Sequence, residues 1–127
     1  MGGRIGSTSP CRPGIDSKEK EAYFEEYIKL FNENISIPLF LVGGIRSYDT
    51  AKRIVETGLA DYISMCRPLI REPGIINRWK SGDYRKSECV SDNLCFRPGL
   101  KGEGVYCLTE KRKRAKRNSD FARKTPD

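Results

Sequence analysis

The sequence predicts an α/β fold organised around one βαβ unit, and three observations predict it. Residues 39–42 (LFLV) form a continuous apolar run closed by Gly43-Gly44, the pattern of a strand covered on both faces in a parallel sheet. Ala51, Ile54 and Val55 then recur at helical spacing, between Ser47 as an N-cap and Gly58 as a left-handed C-cap. Residues 61–65 (DYISM) supply a second strand, so strand, helix and strand fit within about 28 residues. Such a unit crosses over right-handed in nearly all cases.

The flanking elements follow from local signals. Residues 1–15 (MGGRIGSTSPCRPGI) have the Gly, Ser and Pro content of an irregular entry. Asp16 with Glu19 three residues later is a capping-box pattern, and Ala22, Tyr23, Phe24, Tyr27, Ile28, Leu30 and Phe31 recur at helical spacing, which predicts a helix over 17–32. Its apolar face requires a partner surface, because an isolated helix gains most of its stability from packing. After the second strand, Pro68 and Pro73 stand at first-turn positions, and Ile75, Ile76 and Trp79 form a stripe ending near Gly82, which predicts one or two short helices. From 86 to 107 no periodicity survives, while three cysteines accumulate. The chain thus divides into an α/β part (1–82), a Cys-bearing extension (83–108) and a basic tail (109–127) expected to be disordered or a frayed helix.

Charge and composition narrow the function classes. Of the net charge of +7 on 127 residues, the tail carries +5, through Lys111, Arg112, Lys113, Arg114, Lys116, Arg117, Arg123 and Lys124 against three acids. The body is nearly neutral. The tail offers clustered cations to a nucleic acid, but no interleaved aromatic to stack on a base, so a solvated terminal run is the expectation. No apolar stretch is long enough to span a membrane, and the start has no signal-peptide core, so a cytoplasmic protein is expected. Histidine is absent, which removes the commonest acid-base catalyst.

Two strand ends carry the candidate chemistry. In parallel sheets ligands bind beyond the carboxyl ends of the strands, and here those ends are GGIRS and CRPLI. Backbone amides of a glycine turn leading into a helix N-terminus suit a phosphate, and Arg46 and Arg67 add cationic groups at the two ends. A phosphate between the last two strand loops is also the arrangement of (β/α)8 barrels. The alternative is a glycine pair that only tightens a turn beside two solvated arginines.

The stretch IPLFLVGGIRSYDTAKRIVETGLADYISMCRPLIREPGIINRWKSGD resembles the C-terminal part of the Old Yellow Enzyme family, the NADH:flavin oxidoreductases with an FMN-bearing barrel. VGGIRS, GLADYISM and RPLIREP carry the resemblance at matching intervals, and it runs from about Gly2 to Cys107. It implies a partial (β/α)8 barrel comprising roughly the last two βα units. It also implies FMN-phosphate contacts from Gly43, Gly44, Ile45 and Arg46 after the seventh strand, and from Cys66 and Arg67 after the eighth. Cys66 departs from the Gly of many members. The chain is also shorter than the roughly 200 residues a barrel needs, so strands one to six, and the family's catalytic groups with them, have no counterpart. No catalytic residue is assigned, and the chain alone is expected to be incomplete and inactive.

Cys89, Cys95 and Cys107, with Asp92 between the first two, are a second constellation. Iron–sulfur members of the family, similar to 2,4-dienoyl-CoA reductase, have a close triplet of cysteines and a fourth about a dozen residues on. The resemblance therefore implies a [4Fe–4S] site with one thiolate replaced by the Asp92 carboxylate. Zinc held by three sulfurs and an oxygen, or simple free thiols, are the alternatives.

In the complete enzyme the resemblance implies hydride transfer from NAD(P)H through FMN to an electron-poor alkene or enoyl thioester. The competing expectation is a non-catalytic phosphate-ligand or nucleic-acid binding module. Exposed strand edges also predict self-association.

Overall fold

The computed structural model describes residues 11–124, so the first ten residues of the expected irregular entry lie outside the described residues. The chain is mixed α/β, with two parallel strands, β1 (Phe40–Val42) and β2 (Tyr62–Ser64), paired Phe40 to Tyr62, Leu41 to Ile63 and Val42 to Ser64. Helix α2 (Tyr48–Glu56) connects them, as the apolar pattern predicts. Ser47 caps it by accepting a hydrogen bond from the Thr50 amide at 3.4 Å, and Gly58 takes the left-handed conformation just beyond it.

The expected helix over 17–32 starts later. Lys18–Lys20 form one 3₁₀ turn, the chain turns at Ala22, which is left-handed at φ 50°, and α1 runs Glu25–Asn34. The capping box does not form: the Asp16 carboxylate instead accepts from Lys20 Nζ at 2.6 Å. Pro68 lies in the first turn of α3 (Arg67–Arg71), while Pro73 precedes α4 (Ile75–Lys80) rather than entering it.

Leu41, Ile45, Ala51, Ile54, Ala60, Ile75 and Trp79 form the core with Ala22 and Ile28, so the sheet is covered by helices on one face. The other face is largely exposed. Phe40 is 63% exposed, Val42 and Tyr62 are about half exposed, and the Phe40 and Tyr62 rings stack at 4.6 Å. The continuous apolar run at 39–42 was expected to be buried on both sides, and here only Leu41 is. Arg53 joins α2 to α1 through a two-pronged pair with Glu25, at 3.1 and 2.7 Å.

The extension contains one short helix, α5 (Phe96–Leu100), and its residues 87–93 contact the loops at the strand ends. The tail expected to be disordered or a frayed helix forms helix α6 (Leu108–Lys124). Its first turn explains this: Glu110 pairs with Arg71 at 2.7 Å and Arg114 at 2.7 Å, and Thr109 bonds to Asp92. Residues 111–123 are solvent-exposed.

Candidate functional site

The tips of β1 and β2 converge. Residues 42–46 from the first and 64–68 from the second line one cavity of about 50 Å³, closed by Cys11, Tyr23 and Ser91. Roughly 10–15 Å³ of such space holds one water, so the cavity suits a group of a few heavy atoms and not a fused ring system. All six residues expected to hold a phosphate, Gly43, Gly44, Ile45, Arg46, Cys66 and Arg67, line it.

Both glycines need to be glycine for a second reason. Gly43 and Gly44 have φ of 117° and 72°, and a Cβ on either would stand 2.8 Å from the Tyr23 ring. Phe24 crowds Gly43 as well, and meets Tyr23 edge-on at 4.7 Å between centroids. The Arg12 guanidinium lies over the Tyr23 ring at 4.8 Å.

The arginines are not solvated: Arg46 is 8% and Arg67 7% exposed. Arg46 donates to the carbonyl oxygens of Ser87, at 3.3 Å, and Cys89, and its Nε is buried with no hydrogen-bond partner among the described residues. Arg67 donates to the Arg12 carbonyl at 2.8 Å and to Asn93 Oδ1 at 2.6 Å. Every one of these acceptors is neutral, and neither guanidinium forms a salt bridge among the described residues. The Asp16 carboxyl feels the Arg46 charge and the Glu21 carboxylate sits at the Arg46 amide, but neither guanidinium is ion-paired, and two buried cations beside one cavity favour an anion there, since buried charges are costly unless paired. Two buried guanidiniums and a phosphate-sized space fit the phosphate end of a nucleotide.

Sequence reasoning missed the groups that frame this site. Glu21, 25 residues before Arg46, accepts hydrogen bonds from the amides of Arg46 and Ser47 at the head of α2. Residues 87–93 strap the tips: the Ser87 amide donates to the Arg46 carbonyl at 2.8 Å, and the Gly14 amide to Ser91 at 3.0 Å. No local pattern announces either contact.

The cysteine constellation is partly assembled. Cys89, Asp92, Cys95 and Cys107 line a common cavity, but of only about 10 Å³, at most the space of a single water. Both Asp92 oxygens are engaged, Oδ1 by the Leu94 amide at 3.0 Å and Oδ2 by Thr109. The Cys89 sulfur accepts from the Ser91 amide, and burial, with Cys89 beside it, pushes the Cys95 thiol up, away from the thiolate a metal needs. Among the described residues no three or more His, Cys, Asp or Glu side chains are placed to hold a metal ion. As arranged, these residues do not fit a four-iron cluster.

No family model matches the chain, and no solved structure matches it. Curated relatives do. The chain is 28% identical over 77 residues to the 4,4'-dithiodibutanoate disulfide reductase of Rhodococcus erythropolis, covering 61% of this chain and 19% of that protein. It is 28% identical over 64 residues to the bilirubin reductase of Mediterraneibacter gnavus, covering 50% and 10%. It is 37% identical over 62 residues to the imidazole glycerol phosphate synthase subunit HisF of Campylobacter lari, covering 49% and 24%. The chain thus spans a quarter or less of the length of each of these relatives. Among the described residues no helix is long and apolar enough to cross a membrane.

Proposed function

We propose that this chain is the phosphate-gripping part of an FMN-dependent oxidoreductase, its two strands being the seventh and eighth of a (β/α)8 barrel. The observation that carries the reading is the pair of buried arginines, neither of them ion-paired among the described residues, beside one cavity at two neighbouring strand tips. The relatives support it from two sides. Two are named reductases, and a third, whose name specifies a phosphate ester, matches with a different named activity. A phosphate grip is a part that proteins of both kinds can use.

In this reading Gly43, Gly44 and Ile45 offer backbone amides from the first tip, and Cys66 and Arg67 from the second. Arg46 and Arg67 supply positive potential that water does not screen, because both are buried. FMN, when bound, supplies the two-electron chemistry between NAD(P)H and an electron-poor alkene or enoyl thioester. The residues here bind and orient its phosphate; no group of this chain is assigned to proton transfer.

Equilibrium dialysis of the chain against FMN and against riboflavin tests the reading. FMN should bind at least about tenfold more tightly, the equivalent of about 1.4 kcal/mol, because riboflavin lacks the anion. Equal retention of the two, or no retention of FMN at about 1 mM, a free energy near −4 kcal/mol, would refute it. The second reading is a non-catalytic phosphate-ligand module, favoured by a cavity that accommodates a phosphate and not a ring system. If inorganic phosphate displaces FMN as well as glycerol phosphate does, and the purified protein carries no flavin, that reading prevails.

A further inference from the structure

We infer that Glu21 is the positioning residue of the phosphate grip: its carboxylate is the resident anion of the α2 N-terminus, and it sets the turn so that a ligand phosphate meets Gly43–Ile45 and the second strand tip instead. The inference rests on the phosphate reading above. One oxygen, Oε2, accepts three hydrogen bonds, from the Arg46 amide at 2.9 Å, the Ser47 amide at 3.0 Å and the Ser47 hydroxyl at 3.0 Å. Those amides head α2, a nine-residue helix, where the helix dipole adds to the pull on a negative group. An incoming phosphate therefore finds that end already filled.

The backbone is bent to place this carboxylate. Ala22, next in sequence, is left-handed at φ 50° and only 2% exposed, a conformation that an L-residue adopts at a cost and that the surrounding structure must impose. The turn at Ala22 sends Glu21 to the Arg46 and Ser47 amides and Tyr23 to the two glycines, so both sides of the GGIRS loop are held from one strained residue. Arg46 connects the two halves: its amide is bound by Glu21, and the residue also lines the cavity.

Because all three bonds end on one oxygen, Gln can replace them and Ala cannot. Glu21→Gln keeps the acceptor and removes a like charge, so it should bind FMN about two- to tenfold more tightly than the parent chain. Glu21→Ala should bind at least about tenfold more weakly than Glu21→Gln, and acetate in the dialysis buffer should recover part of that loss by refilling the vacated amides. Equal FMN binding by the Gln and Ala variants overturns the inference while leaving the phosphate reading intact. If the parent chain does not prefer FMN to riboflavin, the phosphate reading fails, and amide exchange then decides the role of Glu21 without ligand. The Arg46 and Ser47 amide protons should exchange at least about tenfold faster in the Ala variant than in the Gln variant, since local protection tracks the bonds that hold them. Unchanged exchange at both overturns the inference.

Discussion

Gly44→Ala tests how tightly the glycine turn is built. At φ 72° an alanine adopts a left-handed conformation that costs about 1–2 kcal/mol. Its Cβ would stand 2.8 and 2.9 Å from Cδ1 and Cε1 of Tyr23, against an optimal carbon separation of about 3.5–4.0 Å. The ring must therefore retreat by several tenths of an ångström. It has little room to do so, with Phe24 on one side and the Arg12 guanidinium over its face, and overpacking of this kind costs about 1–3 kcal/mol. The total, about 2–5 kcal/mol, is a large share of the 5–15 kcal/mol that holds a typical domain. Urea denaturation followed by fluorescence of Trp79, the single tryptophan and a core residue, measures it. In a Tyr23→Ala background the steric part disappears and Gly44→Ala should cost only about 1–2 kcal/mol. A loss below about 0.5 kcal/mol in the parent chain, or an identical loss in both backgrounds, would refute the argument.

Four further outcomes are expected. Cys66 is exposed and lines the strand-tip cavity, so FMN should slow its alkylation by iodoacetamide, read by mass spectrometry, and riboflavin should not. Anaerobic reconstitution with iron and sulfide should leave the chain without a stoichiometric cluster, because the Cys89–Asp92–Cys95–Cys107 cavity has no room for one; a cluster signal in electron paramagnetic resonance would contradict this. The hydrogen bond from Arg53 holds the Glu25 carboxyl below its ordinary value of 4.5 in the folded chain. The unfolded chain therefore binds the extra proton first, so this stabilisation is full above about pH 4.5 and is lost as pH falls through the folded value. Glu25→Gln should flatten that acid limb, at a cost of about 0.5–1 kcal/mol near neutral pH. Finally, the exposed sheet face should drive self-association, and Phe40→Lys should reduce the mass seen by light scattering; a monomeric parent chain would argue against it.

What the sequence revealed is what local spacing encodes. The short strands at 40–42 and 62–64, the Ser47 and Gly58 caps and the first-turn Pro68 all depend on residues a few positions apart, where helix and strand periods are strong signals. The failures are contacts that span the chain. Asp16 and Glu19 have the spacing of a capping box, yet the start of α1 is decided by Glu21 reaching Arg46 and Ser47, and that demand turns the chain at Ala22. Likewise, residues 86–107 show no period because their order comes from Arg46 and Arg67 donating to residues 87–93. For α6 the charge run reads as disorder or a frayed helix, and its spacing does not announce that the first turn is fastened by Glu110 and Thr109 to groups 17–39 residues away.

The same distinction decides which residues bear the functional argument. A Gly-Gly pair has an adequate structural cause here, since Tyr23 occupies the space a side chain would take, so the glycines alone do not argue for a ligand. Arg46 and Arg67 have a structural cause too, as struts for the extension, but that cause is incomplete. Carbonyl acceptors satisfy N–H groups without neutralising charge, and an uncharged donor such as Gln would meet the Ser87, Arg12 and Asn93 acceptors at far lower desolvation cost. The part of each guanidinium that strapping leaves unexplained is its charge, and the cavity both residues line is where a negative group would balance it.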